Sequence, residues 1–142
     1  MPISPGFADR RAKQFDKALE VRDGTLPALT GSAVENPIVV PGLTKQHNFC
    51  AVVGFENYTG WTAGSAEWIV AIEAAATINS TFVEVGRITL NGDPLKGATK
   101  TTEIALSGLA IESLVPDAQA VRARAIKVGG AGSLKYSAFL SS

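Results

Sequence analysis

The fold is decided by residues 120–140, which read Ala120-Val121-Arg122-Ala123-Arg124-Ala125, then Gly129-Gly130-Ala131-Gly132-Ser133, then Leu134-Lys135-Tyr136-Ser137-Ala138-Phe139-Leu140. Val121, Ala123 and Ala125 alternate with Arg122 and Arg124, and Leu134, Tyr136, Ala138 and Leu140 alternate with Lys135, Ser137 and Phe139. A period of two is that of a strand with one buried face. The pattern predicts a β-hairpin closed by the Gly-rich turn. Small Ala side chains at inward positions predict close approach of a facing layer, either a second sheet or the ring of Trp68.

Upstream, Asn48-Phe49-Cys50-Ala51-Val52-Val53-Gly54-Phe55-Glu56 is apolar on both sides, as in a central strand. Asn57 to Gly64 reads as a loop carrying two aromatics, Tyr58 and Trp61. Ser65 to Thr77 fits two periods. As a strand, Trp68, Val70, Ile72 and Ala74 share a face; as a helix, Ser65 caps a run ending in Ala74-Ala75-Ala76. Periodicity alone does not decide between them, and the β-branched residues and flanking segments favour the strand. Phe82-Val83-Glu84-Val85 alternates and then changes phase, which predicts a β-bulge at Gly86-Arg87. Asn91-Gly92-Asp93-Pro94 is a turn signal. Thr101 to Leu106 resumes a strand, and Leu109 to Pro116 reads as a compact connection with a helical turn. Gly24, Pro27, Gly31, Pro37, Pro41 and Gly42 break any helix between them, leaving short strands at Leu19-Glu20-Val21 and Ile38-Val39-Val40, the latter at an edge. Seven or eight short strands at turn-punctuated intervals predict an all-β fold, an antiparallel β-sandwich or jelly-roll-like architecture with an extended N-terminal arm. Residues 19–142 form its single domain.

Residues 1–18 differ in composition. Asp9, Arg10, Arg11, Lys13, Asp16 and Lys17 crowd around Phe7 and Phe15. Spacings of three and four fit a short helix; an arm ordered only on a neighbouring surface fits as well, because two Phe among many charges bury too little area to fold alone.

The chain has 142 residues, with 13 Lys+Arg against 13 Asp+Glu, one His and one Cys. At this length roughly 70% of the unfolded surface is buried on folding, so one core suffices without staples. Zero net charge supplies no field for nucleic acid or an anionic membrane, so neither is an expected partner. One Cys and one His rule out a disulfide scaffold and the usual zinc, copper and non-haem iron sites within one chain. Met1 to Arg11 lacks the apolar segment of a secretory signal, and no later segment approaches the length that spans a bilayer.

No catalytic, cofactor-binding or metal-binding set stands out. Cys50 and His47 lie three residues apart, which in a strand sends their side chains to opposite faces. The Gly-rich run at 129–133 leads into a strand, whereas a phosphate cradle leads into a helix N-terminus. Glu56, Glu73, Glu84, Glu103 and Glu112 are scattered, and solvated faces explain them. Arg122 and Arg124 share a side, with Arg87 nearby, as a solvated face or a carboxylate contact. Loop aromatics on a sandwich are also how carbohydrate-binding modules stack sugars, which makes Tyr58 and Trp61 an alternative glycan or interface site.

Taken in order, Phe15-Asp16-Lys17-Ala18-Leu19-Glu20-Val21-Arg22-Asp23-Gly24, Phe82-Val83-Glu84-Val85-Gly86-Arg87, Ala120 to Ala125 and Lys135 to Leu140 give the chain an architecture that resembles the small cement or decoration proteins of tailed phages. The resemblance covers most of residues 15–142. It implies a non-enzymatic virion protein without cofactor, made in the host cytoplasm, that binds the outside of an icosahedral head as a homotrimer and strengthens contacts between major capsid subunits. The capsid-interface candidates are Phe7, Arg10, Arg11 and Phe15, the two Phe as anchors and the two Arg pairing with acidic groups.

Overall fold

A computed structural model describes residues 17–92 and 99–141. The chain forms β1 (Glu20–Arg22), β2 (Ala33–Val34), β3 (Ile38–Val39), β4 (Asn48–Glu56), β5 (Glu67–Ala75), β6 (Val83–Leu90), β7 (Thr99–Ser107), α1 (Gly108–Leu114), β8 (Ala120–Val128) and β9 (Tyr136–Ser141). Lys17–Leu19 and Leu43–Lys45 are single 3-10 turns. The strands make two antiparallel sheets. The first has the order β1-β9-β4-β7; the second has the order β2-β8-β5-β6, with β3 also pairing β8. Their inner faces share one apolar core that includes Phe49, Val53, Trp68, Ile72, Leu106, Ala123 and Leu140. The fold is therefore the all-β sandwich expected from the alternation, and residues 65–77 supply a strand.

The expected β8–β9 hairpin does not form. β8 pairs β5 in the second sheet, β9 pairs β4 and β1 in the first, and the 129–133 loop crosses between layers. The two strands face each other across the core instead of lying side by side. Their inward Ala123, Ala125 and Ala138, all fully buried, keep the layers close, and Trp68, also fully buried, fills the remaining space. Interiors pack near crystal density, so an Ala-lined gap and a large ring are complementary. The bulge in β6 lies one residue before its expected place. Ile72 pairs Gly86 and Glu73 pairs Glu84, which leaves Val85 as the extra residue.

α1 starts where the Ser107 hydroxyl accepts a hydrogen bond from the Ala110 amide at 3.4 Å, and it stops before Pro116, which cannot continue a helix. It closes the end of the sandwich marked by Asn48, Ala75, Val83, Ala120 and Ser141. Leu43, Phe49, Ile72, Leu106, Ile111, Val121 and Leu140 meet beneath it.

At the other end the two layers are tied by a buried cation. Arg22, 4% exposed, donates from Nε to the Tyr136 carbonyl (3.0 Å), from Nη1 to Glu35 (2.8 Å) and from Nη2 to the Pro27 carbonyl (3.0 Å). Its guanidinium also lies 4.7 Å from the centre of the Tyr136 ring. Arg stays charged at any physiological pH, so each acceptor offsets part of its desolvation. The neighbouring Tyr136 hydroxyl is buried without a hydrogen-bond partner.

Removing Arg22 strips Glu35 and two carbonyls of their donor. Arg22→Ala is expected to lower unfolding free energy by about 3–5 kcal/mol in urea titrations. Tyr136→Phe deletes an unpaired buried hydroxyl and is expected to be neutral or to stabilise by about 1 kcal/mol. Burial, reinforced by the Glu35 carboxylate, raises the Tyr136 pKa well above the usual tyrosine value. The stability this group contributes is thus complete below about pH 10 and is lost as pH rises above it, because the unfolded phenol ionises first. Alkaline melting curves of Tyr136→Phe should fall less steeply than those of the parent; equal slopes would contradict this.

Candidate functional site

The Tyr58 and Trp61 loop joins β4 of one sheet to β5 of the other, so its backbone must cross the end of the sandwich. Tyr58 is 4% exposed. Its hydroxyl donates to the Leu90 carbonyl and accepts from the Trp68 amide at 3.1 Å. Trp68 and Leu90 are cross-strand partners, so the phenol bridges the last rung of the β5–β6 ladder. Burial raises its pKa, with the backbone hydrogen bond from Trp68 opposing. No face of this ring is open to a ligand.

Trp61 is different. It is partly buried against the core, and its ring borders a groove of about 440 Å³ lined also by Phe55, Thr89, Asn91, Lys100, Thr101 and Thr102. Its indole Nε1 is buried with no hydrogen-bond partner. Lys100 crosses the groove and donates to the Asn91 carbonyl at 2.7 Å.

The Gly-rich 129–133 loop packs directly beneath the Tyr58 loop. The Gly132 amide donates to the Thr59 carbonyl (2.6 Å), and the Gly132 carbonyl accepts from Trp68 Nε1 (2.7 Å). Gly129 has φ +64, and a Cβ there would sit 2.0 Å from the Ser65 carbonyl oxygen. Glycine is required here by close packing and a left-handed backbone, which accounts for the run without a phosphate.

On the outer face of the second sheet the register brings the three arginines together. Arg124 and Arg87 both pair with Ala71, and Arg122 pairs with Glu73. Glu73, expected on a solvated face, is only 5% exposed, because Arg122 (2.7 Å) and Arg124 (3.7 Å) close over it. Arg122 also stacks 4.0 Å from the centre of the Phe82 ring. Arg87 grips Glu84 through two bonds of 2.7 and 2.8 Å, and this hydrogen bonding holds the Glu84 carboxyl below the usual range against a small opposing desolvation. The guanidinium groups are thus engaged within the sheet. The exposed pairs among them are of the kind that contributes little stability.

Cys50 is buried on the outward side of β4, and His47 is exposed in the link before that strand. Among the described residues no three His, Cys, Asp or Glu side chains are grouped to hold a metal, and no helix is long and apolar enough to cross a membrane. Phe7, Arg10, Arg11 and Phe15 lie outside the described residues. Two features carry no signal in the sequence. The Arg22–Glu35 pair spans two loop-rich segments without periodicity, and the exposed aliphatics near α1 interrupt no motif.

No protein-family model matches the chain, and no curated protein matches it.

Tyr58 and Tyr136 are both buried, but only the Tyr58 hydroxyl has partners. Tyr58→Phe leaves the Trp68 amide and the Leu90 carbonyl without it, and the expected loss is about 2 kcal/mol in chemical denaturation, opposite in sign to the expectation for Tyr136→Phe. Matching effects at the two positions would refute the assigned hydrogen bonds.

Proposed function

We propose that this protein is a non-enzymatic structural protein of the capsid cement or decoration kind, binding the outer surface of an icosahedral phage head as a homotrimer and bridging major capsid subunits. The resemblance in strand order supports this reading, as does the sandwich, a rigid frame suited to placing surface patches. One observation carries it. Among the described residues seven large aliphatic side chains are exposed, and five of them, Val39 (56%), Ile78 (48%), Val83 (37%), Leu109 (80%) and Leu114 (55%), sit at the α1 end. Val39 pairs Ala120, Val83 pairs Ala74, Ile78 lies in the turn between β5 and β6, and α1 carries the two Leu. Exposed aliphatic side chains gathered at one end of a domain are characteristic of an adhesive surface. Phe7 and Phe15, with Arg10 and Arg11, would extend that contact.

A second reading, a carbohydrate-binding module, is supported by the Trp61 groove, where an aromatic wall faces Thr, Asn and Lys side chains. It rests on Trp61 alone, since Tyr58 is enclosed.

Binding of Leu109→Ser/Leu114→Ser to phage shells lacking the protein separates the two. On the capsid reading, occupancy falls at least tenfold, circular dichroism is unchanged and the parent's native mass is that of a trimer. Undiminished occupancy together with sugar-dependent quenching of Trp fluorescence would replace it with the carbohydrate reading.

A further inference from the structure

Two open sheets have four edges, and three of those here are blunted. β1 is three residues long, β2 and β3 are two each, and Pro37 and Pro41 stand close to β3. β6 carries the bulge at Val85. Shortness, proline and bulges are what keep an edge from pairing with another chain. β7 has none of these. It ends the order β1-β9-β4-β7, and its nine residues pair β4 without a register shift. No described strand pairs its other side. In an antiparallel ladder every second residue turns its N–H and C=O away from the partner strand, so about half of these backbone groups face the open edge. Among the described residues, the further hydrogen bonds of Thr99–Ser107 are those of the Lys100 ammonium with the Asn91 carbonyl and of the Ser107 hydroxyl with the Ala110 amide.

A lysine at an edge deters an added strand, but Lys100 stands near the start of β7 and is folded back onto Asn91. The half that runs into α1 has a different chemistry. Ile104 and Leu106 enter the core, so Glu103 and Ala105 point outward, and both are exposed. Glu103 makes no ion pair among the described residues. Three residues on, Leu106 borders a groove of about 240 Å³ with Val85, Ala105, Ala110, Ile111 and Leu114. All six side chains are apolar. An odd spacing places Glu103 and Leu106 on opposite faces of the strand. A strand laid against this edge therefore meets an acid on one face and an apolar recess on the other.

A second copy of β7 suits the edge poorly. In the antiparallel registers that use most of the strand, the two Glu103 carboxylates come opposite or diagonal to one another on one face, where like charges repel. An occupant with a cation at that place is favoured instead.

We propose that the free edge of β7 takes up an extended segment of another polypeptide by antiparallel strand addition. The segment sets a Lys or Arg against Glu103 and, three residues earlier in its own sequence, an aliphatic side chain in the groove beside Leu106. Backbone hydrogen bonds supply the affinity, and these two side chains supply the selection. The inference does not rest on the capsid reading, and its failure would leave that reading standing.

The probe is the peptide acetyl-Thr-Leu-Thr-Val-Lys-Val-Thr-amide, whose Leu and Lys have this spacing. Amide hydrogen exchange of the full-length protein is followed by NMR with and without it. Alternate amides between Thr101 and Ser107 should exchange rapidly in the free protein and at least tenfold more slowly with saturating peptide, while those of β6 are unchanged. Two backbone N-methylated peptides, one methylated at alternate residues and the other at the residues between, distinguish strand addition from adhesion. One set of peptide N–H groups points at β7, so one version should lose at least tenfold in affinity and the other should keep it. Glu103→Lys, at an exposed position, should weaken binding roughly threefold, and replacing the peptide's Lys by Glu should restore it. Equal affinities of the two N-methylated peptides, protection confined to other strands, or no protection at millimolar peptide would each overturn the proposal. So would alternate β7 amides that are already slow in the free protein, because the edge would then be occupied, by a second copy where the native mass is that of a dimer.

Discussion

A guanidinium taken out of water must be surrounded by acceptors, and Arg22 meets this demand by drawing three parts of the chain together. Glu35 belongs to the link between the two short edge strands of the second sheet, Pro27 to the turn-rich segment before it, and Tyr136 to β9 of the first sheet. β1 has only three residues, too few to define its own register by ladder bonds. The side chain of its last residue does so. With Arg22 fixed, β1 lies along β9, and the chain after it is led to the edge of the second sheet, where Ala33–Val34 and Ile38–Val39 pair β8. An apolar residue of similar size would fill the space but would leave the Pro27 and Tyr136 carbonyls without this donor, so the ion pair contributes placement more than net energy.

What the sequence makes legible follows from what period-two alternation encodes. It reports which side chains share a face, and so Phe49 to Glu56, Trp68 to Ala74 and Val121 to Ala125 are readable as strands with an inner and an outer side. It does not report which strand lies alongside. The Gly129 to Ser133 run has the length and composition of a hairpin turn, but the same length also joins strands in opposed layers, and the choice is made by Trp68 Nε1 and Thr59 anchoring the loop. Facing is likewise distinct from covering. Glu73 points outward as its phase requires, but its burial arises from Arg122 and Arg124 on a strand about fifty residues away, a relation that exists only once the register is set.

The same distinction governs the candidate sites. Tyr58 stands out in a loop without periodicity because of what the loop must do: a crossover between sheets leaves ladder groups open at its end, and a phenol long enough to bridge them completes the rung. Trp61, three residues on, has no such bridge to make with its indole nitrogen and remains at the rim. Residues 1–16 carry a sharp charge contrast with the rest of the chain and no strand period, so their composition sets them apart without saying what they contact.

Charge and apolar surface are also distributed differently around the sandwich. Zero net charge gives no long-range attraction, and the arginines of the second sheet are turned toward Glu73, Glu84 and Phe82. A partner approaching that face would have to displace pairs already made, with little gain in a well-solvated setting. Leu109, Leu114 and Ile78, at the α1 end, carry no charge and have no such pairs to displace. Leu109 and Leu114 are carried on a helix too short to hold itself together, yet Ile111 of the same helix is anchored in the core, so the exposed side chains stand on a fixed base. Adhesion of the proposed kind therefore draws on burial of aliphatic surface at that end, where the loops joining the two sheets converge, and its strength depends weakly on salt because few of the groups involved are ions.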